Sequence, residues 1–210
     1  MDYATYLPGF LAAYAILLVG ASSPGPAVAL LFGIASAQGR GPALVTTAGI
    51  STGSATINVL TLIGVGLILQ QAAWAMTAFR IIGAAYLAYL AYGAFKKALN
   101  PPKVVAASAP RASTGRLFII GYLLQVTNPK AIAFWLAIAA VGATEGGGIA
   151  VILAFVAGAW AMSFICHGAW AVVLSTPAVR RAYVSGRRWI EGALGVFFGI
   201  FAFKLATSEA

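Results

Sequence analysis

Charge is what this chain has least of. Asp and Glu together number 4 in 210 residues, against 13 Lys and Arg. Charged residues of both signs make up 8% of the chain, where soluble domains carry about 25%. That shortage, beside a hydrophobic content of 61%, excludes an ordinary soluble domain. A single cysteine, Cys166, excludes an intrachain disulfide, and one thiol says nothing about compartment. The short alternating segments of a membrane β-barrel, about ten residues each, are missing too. What is present is a series of apolar runs of about 20 residues, the length of a spanning helix. The chain therefore reads as an all-α polytopic membrane protein. Its first run starts near Leu7, with only Asp2 charged before it. A secretory leader needs a positive n-region, so this run is expected to be a true membrane helix.

Six spans are expected, roughly at 7–35, 43–69, 74–95, 116–142, 148–174 and 189–206. Most of the basic residues fall in alternate loops: Arg40 after the first span, Lys96, Lys97, Lys103, Arg111 and Arg116 after the third, and Arg180, Arg181, Arg187 and Arg188 after the fifth. The positive-inside rule then places both termini outside. The net charge of +9 reads as topology signals and anionic-lipid contacts rather than a nucleic-acid surface. Residues 98–114, with Pro101, Pro102 and Pro110, read as a cytoplasmic linker between a first repeat (1–97) and a second (115–210).

Shifting the chain by 105 positions lays Pro24 on Pro129, Gly41 on Gly146 and Gly53 on Gly158. With a small slip, "GAAYLAYLAYGAFK" (83–96) also aligns with "GALGVFFGIFAFK" (192–204). Each half holds three spans, an odd number, so the repeats are expected to be inverted, as in many secondary transporters. Proline breaks a helix by removing a donor and clashing with the preceding turn. Both repeats carry such a break, "SSPGP" in helix 1 and "TNPK" in helix 4. Broken backbone at membrane depth is tolerated only where protein or a watery cavity covers it. A new half-helix is expected after each break, capped by Ser22 or Ser23 before Pro24 and by Asn128 before Pro129. Two half-helix N-termini, each with about half a positive charge, would then face the midplane and suit a carboxylate. Lys130 at this depth is costly, which points to a substrate or coupling role, with snorkelling as the alternative. The freed carbonyls would accept from an ammonium, and transport would proceed by rocking one half against the other.

The same residues carry a family resemblance. "SPGPAVALLFGIASAQGRGPALVTTAGISTG" (23–53), "GAAYLAYLAYGAFK" and "GYLLQVTNPKAIAFW" (121–135) resemble the LysE/RhtB-type amino-acid exporters, in order along nearly the whole chain. The resemblance implies ion-driven efflux of amino acids or their derivatives across a bacterial inner membrane. By motif match it points to Pro24, Gly25 and Pro26, to Gly39 and Arg40, to Gly49 and Gly53, and to Asn128, Pro129 and Lys130. Pro42 after "GRG" departs from the family pattern and puts the detail of the first cytoplasmic loop in question.

The expected substrate site is thus Ser23, Pro24, Gly25, Pro26, Asn58, Asn128, Pro129 and Lys130. Asn58 reads as a polar lining residue or an interhelical hydrogen bond. Glu191 reads as a surface carboxylate paired with Arg187 or Arg188, or as a proton-coupling group. His167 reads as a hydrogen-bonded interior histidine or a proton relay. Arg80 and Lys204 are expected to snorkel. Trp74 and Trp189 fit an aromatic belt, while Gly49/Gly53 and Gly195/Gly199 fit helix-packing faces. The interior shows no carboxylate, which tilts the substrate towards neutral or apolar amino acids. No cofactor and no nucleic-acid partner are expected. The expected partners are an amino acid, membrane lipids, the proton as coupling ion, and a second copy of the chain in a candidate homodimer. Three other classes compete. "GISTG" (49–53) with His167 spells a Ser51–His167 intramembrane hydrolase. Cys166 beside His167 hints at a metal-ion exporter, and a channel is the third.

Overall fold

The computed structural model describes residues 3–71, 74–101 and 112–207; residues 3, 65–71, 74–80, 83 and 205 are described by backbone alone. The described secondary structure is helical throughout. A 3-10 turn, Tyr3–Tyr6, leads into α1 (Leu7–Ser22) and α2 (Pro26–Gln38). Then come α3 (Arg40–Gln71), α4 (Trp74–Leu99), α5 (Thr114–Val126), α6 (Pro129–Ala139), α7 (Ile149–Val173) and α8 (Pro177–Thr207). Among the described residues, three helical stretches are long and apolar enough to cross a membrane: Ala4–Ser22, Arg40–Gly64 and Ile149–Val173. The α5–α6 pair adds a fourth if its 59° bend is taken within one span. The chain is a multi-pass, all-helical membrane protein. Its outside carries exposed Leu11, Ile165, Trp189 and Phe203, side chains that lipid would cover. The expected linker falls largely on residues outside those described, as do Asp2, Glu209 and the side chains of Trp74 and Arg80.

Both breaks are present, and the first lies later than expected. Its half-helix starts at Pro26, with Gly25 as N-cap and no side-chain cap bond. The cause is the two consecutive X–Pro steps. A residue before proline is driven out of the helical region. Ser23 is therefore extended (φ −78°, ψ 139°) before Pro24, and Gly25 is extended (φ −175°, ψ −168°) before Pro26. Ser23 ends α1 instead of capping α2: its amide donates to Val19 O and its hydroxyl to Gly20 O at 2.9 Å. The second break behaves as expected. Asn128 is extended (φ −77°, ψ 109°), and its side chain accepts from the Lys130 amide at 3.1 Å.

Three buried clusters hold the helices together. Leu31, Phe32, Ile50, Leu117 and Leu174 join α2, α3, α5 and α7. Ala13, Leu17, Ile57, Trp135 and Phe155 join α1, α3, α6 and α7. Leu87, Ala91, Phe134 and Phe198 join α4, α6 and α8. Between α3 and α5 the backbones themselves meet. A Cβ added at Gly49 would run into the carbonyl of Phe118, and one at Gly121 into the carbonyl of Thr46; at Gly53 it would lie 2.9 Å from Tyr122 O. Small residues allow this approach. The second expected face is only partly used: a Cβ at Gly195 would meet the Phe95 ring at 2.7 Å, whereas Gly199 faces open space.

Candidate functional site

The two breaks touch. Lys130, in the first turn of α6, reaches back to the end of α1. Its ammonium donates to Ser23 O at 2.9 Å, to the Ser23 hydroxyl and, at 3.5 Å, to Pro24 O. Trp170 of α7 donates its indole N–H to Ser22 O at 3.2 Å. Carbonyls that lost their helical donors to the break are thus taken up by side chains from the second half, as buried backbone requires. Lys130 is held closely: a Cβ on Gly25 would sit 3.1 Å from Nζ and 3.2 Å from Cδ. The Phe134 ring lies below it, 6.0 Å from the ammonium to the ring centroid.

Cavities converge on this joint. A small one of ≈ 30 Å³ is lined by Ser23, Ser54, Gln125, Asn128, Lys130 and His167, among others. Two larger ones, of ≈ 220 Å³ and ≈ 290 Å³, flank the other side of Pro24–Gly25–Pro26, and Lys97 and Glu191 line both. The smaller of these two also takes in Arg187, and the larger Lys130. We call the larger pair the vestibule. Its charged lining is three cations and one carboxylate, beside the first turn of α2, whose amides have no side-chain acceptor. Such a lining favours a group with net negative charge that also carries a donor for Glu191.

Glu191 corrects the surface reading. It is 2% exposed, with Oε1 3.6 Å from Arg187 Nε one turn earlier on α8. The reason is that α8 extends back to Pro177, so the carboxylate projects from mid-helix toward the vestibule rather than from a helix start at the surface. The interior therefore does contain a carboxylate, so its lining gives no reason to favour neutral or apolar substrates.

The remaining expected residues divide. Ser23, Pro24, Gly25, Pro26, Asn128, Pro129 and Lys130 lie around these cavities. Asn58 does not line them; it is 1% exposed, and its Nδ2 has no hydrogen-bond partner. Gly39 forms the α2–α3 turn at φ +88°, a conformation glycine favours, and Arg40 beside it is exposed. His167 lines the small cavity, with Nδ1 2.9 Å from Ser163 O. The Ser51–His167 dyad is not assembled: Ser51 Oγ makes no hydrogen bond, and the motif lies inside α3 rather than at a strand-to-helix turn. Sequence reasoning missed Ser54, Gln125 and Trp135, whose indole donates to Ser54 Oγ at 3.0 Å. Gln125 carried a signal, as a polar residue one turn before Asn128 in an apolar run.

Residues 18–209 match the profile of the LysE type translocators. The chain is 29% identical over 209 residues to the threonine efflux protein of Escherichia coli (strain K12), covering 95% of this chain and 98% of that protein. It is 29% identical over 201 residues to the threonine efflux protein of Salmonella typhi, with coverages of 91% and 94%. Identity to the uncharacterized membrane protein YahN of Escherichia coli (strain K12) is 27% over 188 residues, with coverages of 87% and 82%. No solved structure matches the chain significantly. With a match over nearly its whole length, and with both motif-bearing breaks meeting at one joint, the chain belongs to the LysE type translocator family.

Proposed function

We propose that this protein is a secondary-active exporter of amino acids or amino-acid derivatives in a bacterial inner membrane, working by alternating access around the two helix breaks. The observation that carries the reading is the Lys130 bridge, which joins break to break through the carbonyls of Ser23 and Pro24. A zwitterion can divide that bridge. Its carboxylate would take Lys130, Lys97 and the α2 amides, and its ammonium would take Glu191 and the carbonyls that Lys130 leaves. The threonine efflux relatives support amino-acid cargo. The test is efflux from vesicles reconstituted with the protein and loaded with a panel of amino acids. Movement of one or more above protein-free vesicles is expected, and movement of none refutes the reading.

The inverted repeat belongs to the same proposal, and the helix contacts support it. Exchanging the halves turns α3 against α5 into α7 against α1, and α2 against α7 into α6 against α3. The α3–α7 and α4–α8 pairs map onto themselves. Gly53 packs on Tyr122 of α5, and its repeat mate Gly158 packs on Tyr14 of α1. In a rocking motion α3 would carry α5 with it, and α7 would carry α1. Both termini outside is tested in a Cys166→Ala background. A cysteine replacing Ser113 is expected to be labelled only from the cytoplasm, and one replacing Glu145 only from outside. Labelling of both from one face would rule out the six-span scheme.

Glu191 is the proposed proton carrier, being the buried carboxylate on the vestibule wall. Glu191→Gln keeps shape and removes the titratable proton. The variant is expected to exchange internal for external amino acid but to lose acceleration of export by an imposed pH gradient. Gradient-driven export at the wild-type rate would transfer the role to another group.

A further inference from the structure

A residue on the wall of the small cavity holds a buried polar atom with no partner. Gln125 is 5% exposed and lines that cavity, yet its Oε1 accepts no hydrogen bond. A buried acceptor left unmade costs the protein its desolvation, and such exceptions ask for an explanation. None of its polar neighbours donates to it: Ser54 Oγ accepts from Trp135, and Asn128 Oδ1 accepts from the Lys130 amide. The Ser23 hydroxyl bonds Gly20 O and Lys130. Gln125 Oε1 therefore calls for a donor that arrives with a ligand.

Size and charge narrow that donor. About 30 Å³ is free, room for a group of hydroxyl or water size. The Lys130 ammonium lines the same cavity, so a second cation there would be repelled in a region that screens charge poorly. A neutral hydroxyl suffers no such penalty. Leu17, Ala21, Ala131 and Phe134 complete the wall and suit a methyl or methylene beside the hydroxyl. The cavity shares Gly25, Pro26, Asn128 and Lys130 with the larger vestibule chamber, so the Lys130 bridge is the partition between them; a substrate that divides the bridge would seat a small side chain in the cavity while its carboxylate and ammonium stay in the vestibule.

We infer that Gln125 is a specificity-determining residue, its Oε1 accepting the side-chain hydroxyl of a small hydroxylated amino acid seated in this cavity. The inference rests on the exporter reading and deepens it. A site built to hydrogen-bond a hydroxyl discriminates strongly against the analogue lacking it, because its own buried group is then left unpaired.

The experiment compares L-threonine with L-valine, in which a methyl replaces the hydroxyl, in vesicles containing the wild-type protein and a Gln125→Leu variant. Wild-type protein is expected to export threonine at least about tenfold faster than valine at equal, subsaturating load. Gln125→Leu is expected to lower that ratio to within about twofold of unity, by losing threonine transport and retaining or gaining valine transport. Equal export of both by the wild type overturns the inference, and this arm needs no variant to fold. An unchanged ratio in Gln125→Leu, or an equal loss of both substrates at normal membrane abundance, overturns it as well. Absence of any amino-acid transport by the wild type would instead sink the exporter reading beneath it.

Discussion

Lys130→Met is expected to reduce export by one to two orders of magnitude while the protein still reaches the membrane. Methionine keeps an unbranched apolar stem of similar length and removes the cation, so shape is nearly held and charge is not. A hydrogen bond to a charged group contributes about 1.5–3 kcal/mol, and each 1.4 kcal/mol is about a tenfold change in binding. The variant also leaves Ser23 O and Pro24 O without the donor that now meets them, so the joint between the breaks loosens as well. A lysine that merely snorkels would behave in the opposite way, since removing a charge from a spanning segment eases insertion. Lys130→Arg is not expected to rescue. The Gly25 backbone runs close to Nζ and Cδ, near enough that a Cβ there would lie 3.1 and 3.2 Å from them, and a planar guanidinium does not replace a compact ammonium donating to the Ser23 and Pro24 carbonyls. Export rates per folded molecule decide the matter, and wild-type rates in Lys130→Met would remove this residue from the mechanism.

The largest structural effect is expected from a single methyl group. Gly49→Ala drives a Cβ into the Phe118 carbonyl, and Gly121→Ala drives one into the carbonyl of Thr46. In both cases the obstacle is backbone of the facing helix, so no rotamer change relieves it. Overpacking a well-filled core costs typically about 1–3 kcal/mol, occasionally more, and here the two helices must separate along their length. Either substitution should lower the thermal midpoint of the detergent-purified protein by many degrees or abolish its monodisperse recovery. Gly115→Ala is the control: it lies on the same helix α5 and faces open space, so it should behave as wild type. Equal behaviour of all three variants would contradict the close crossing of α3 and α5.

What could be read from the chain beforehand was local in nature. Proline acts on its own turn, so the breaks at Pro24 and Pro129 were visible, as was the cost of Lys130 at depth. The restart at Pro26 follows from the same local rule applied twice, to Ser23 and to Gly25, which carries the half-helix past the Ser22 or Ser23 cap expected before Pro24. Glu191 was misread because its neighbours Arg187 and Arg188 imitate a membrane-surface segment, and only the continuation of α8 through them turns the carboxylate inward. Ser54 and Trp135 are far apart in sequence, and their hydrogen bond exists only because α6 crosses α3. No periodicity announces such a crossing. Gln125 stood one turn from a recognised cap, yet its meaning depends on having no partner, and that is a property of the assembled helices.

The crossing of α3 and α5 also bears on how the protein is made. A ribosome delivers the chain from its N-terminus, so α3 is synthesised long before the helix it fits. Until residues 114–126 emerge, the backbone notch at Gly49 and Gly53 has only lipid or a provisional neighbour to cover it. The reverse holds for α7, which arrives late and finds α1 already waiting, with Tyr14 placed to donate to Phe155 O. The N-terminal half therefore lacks the main packing partner of α3 until the C-terminal half is made, and α1 and α5 each complete the half they do not belong to.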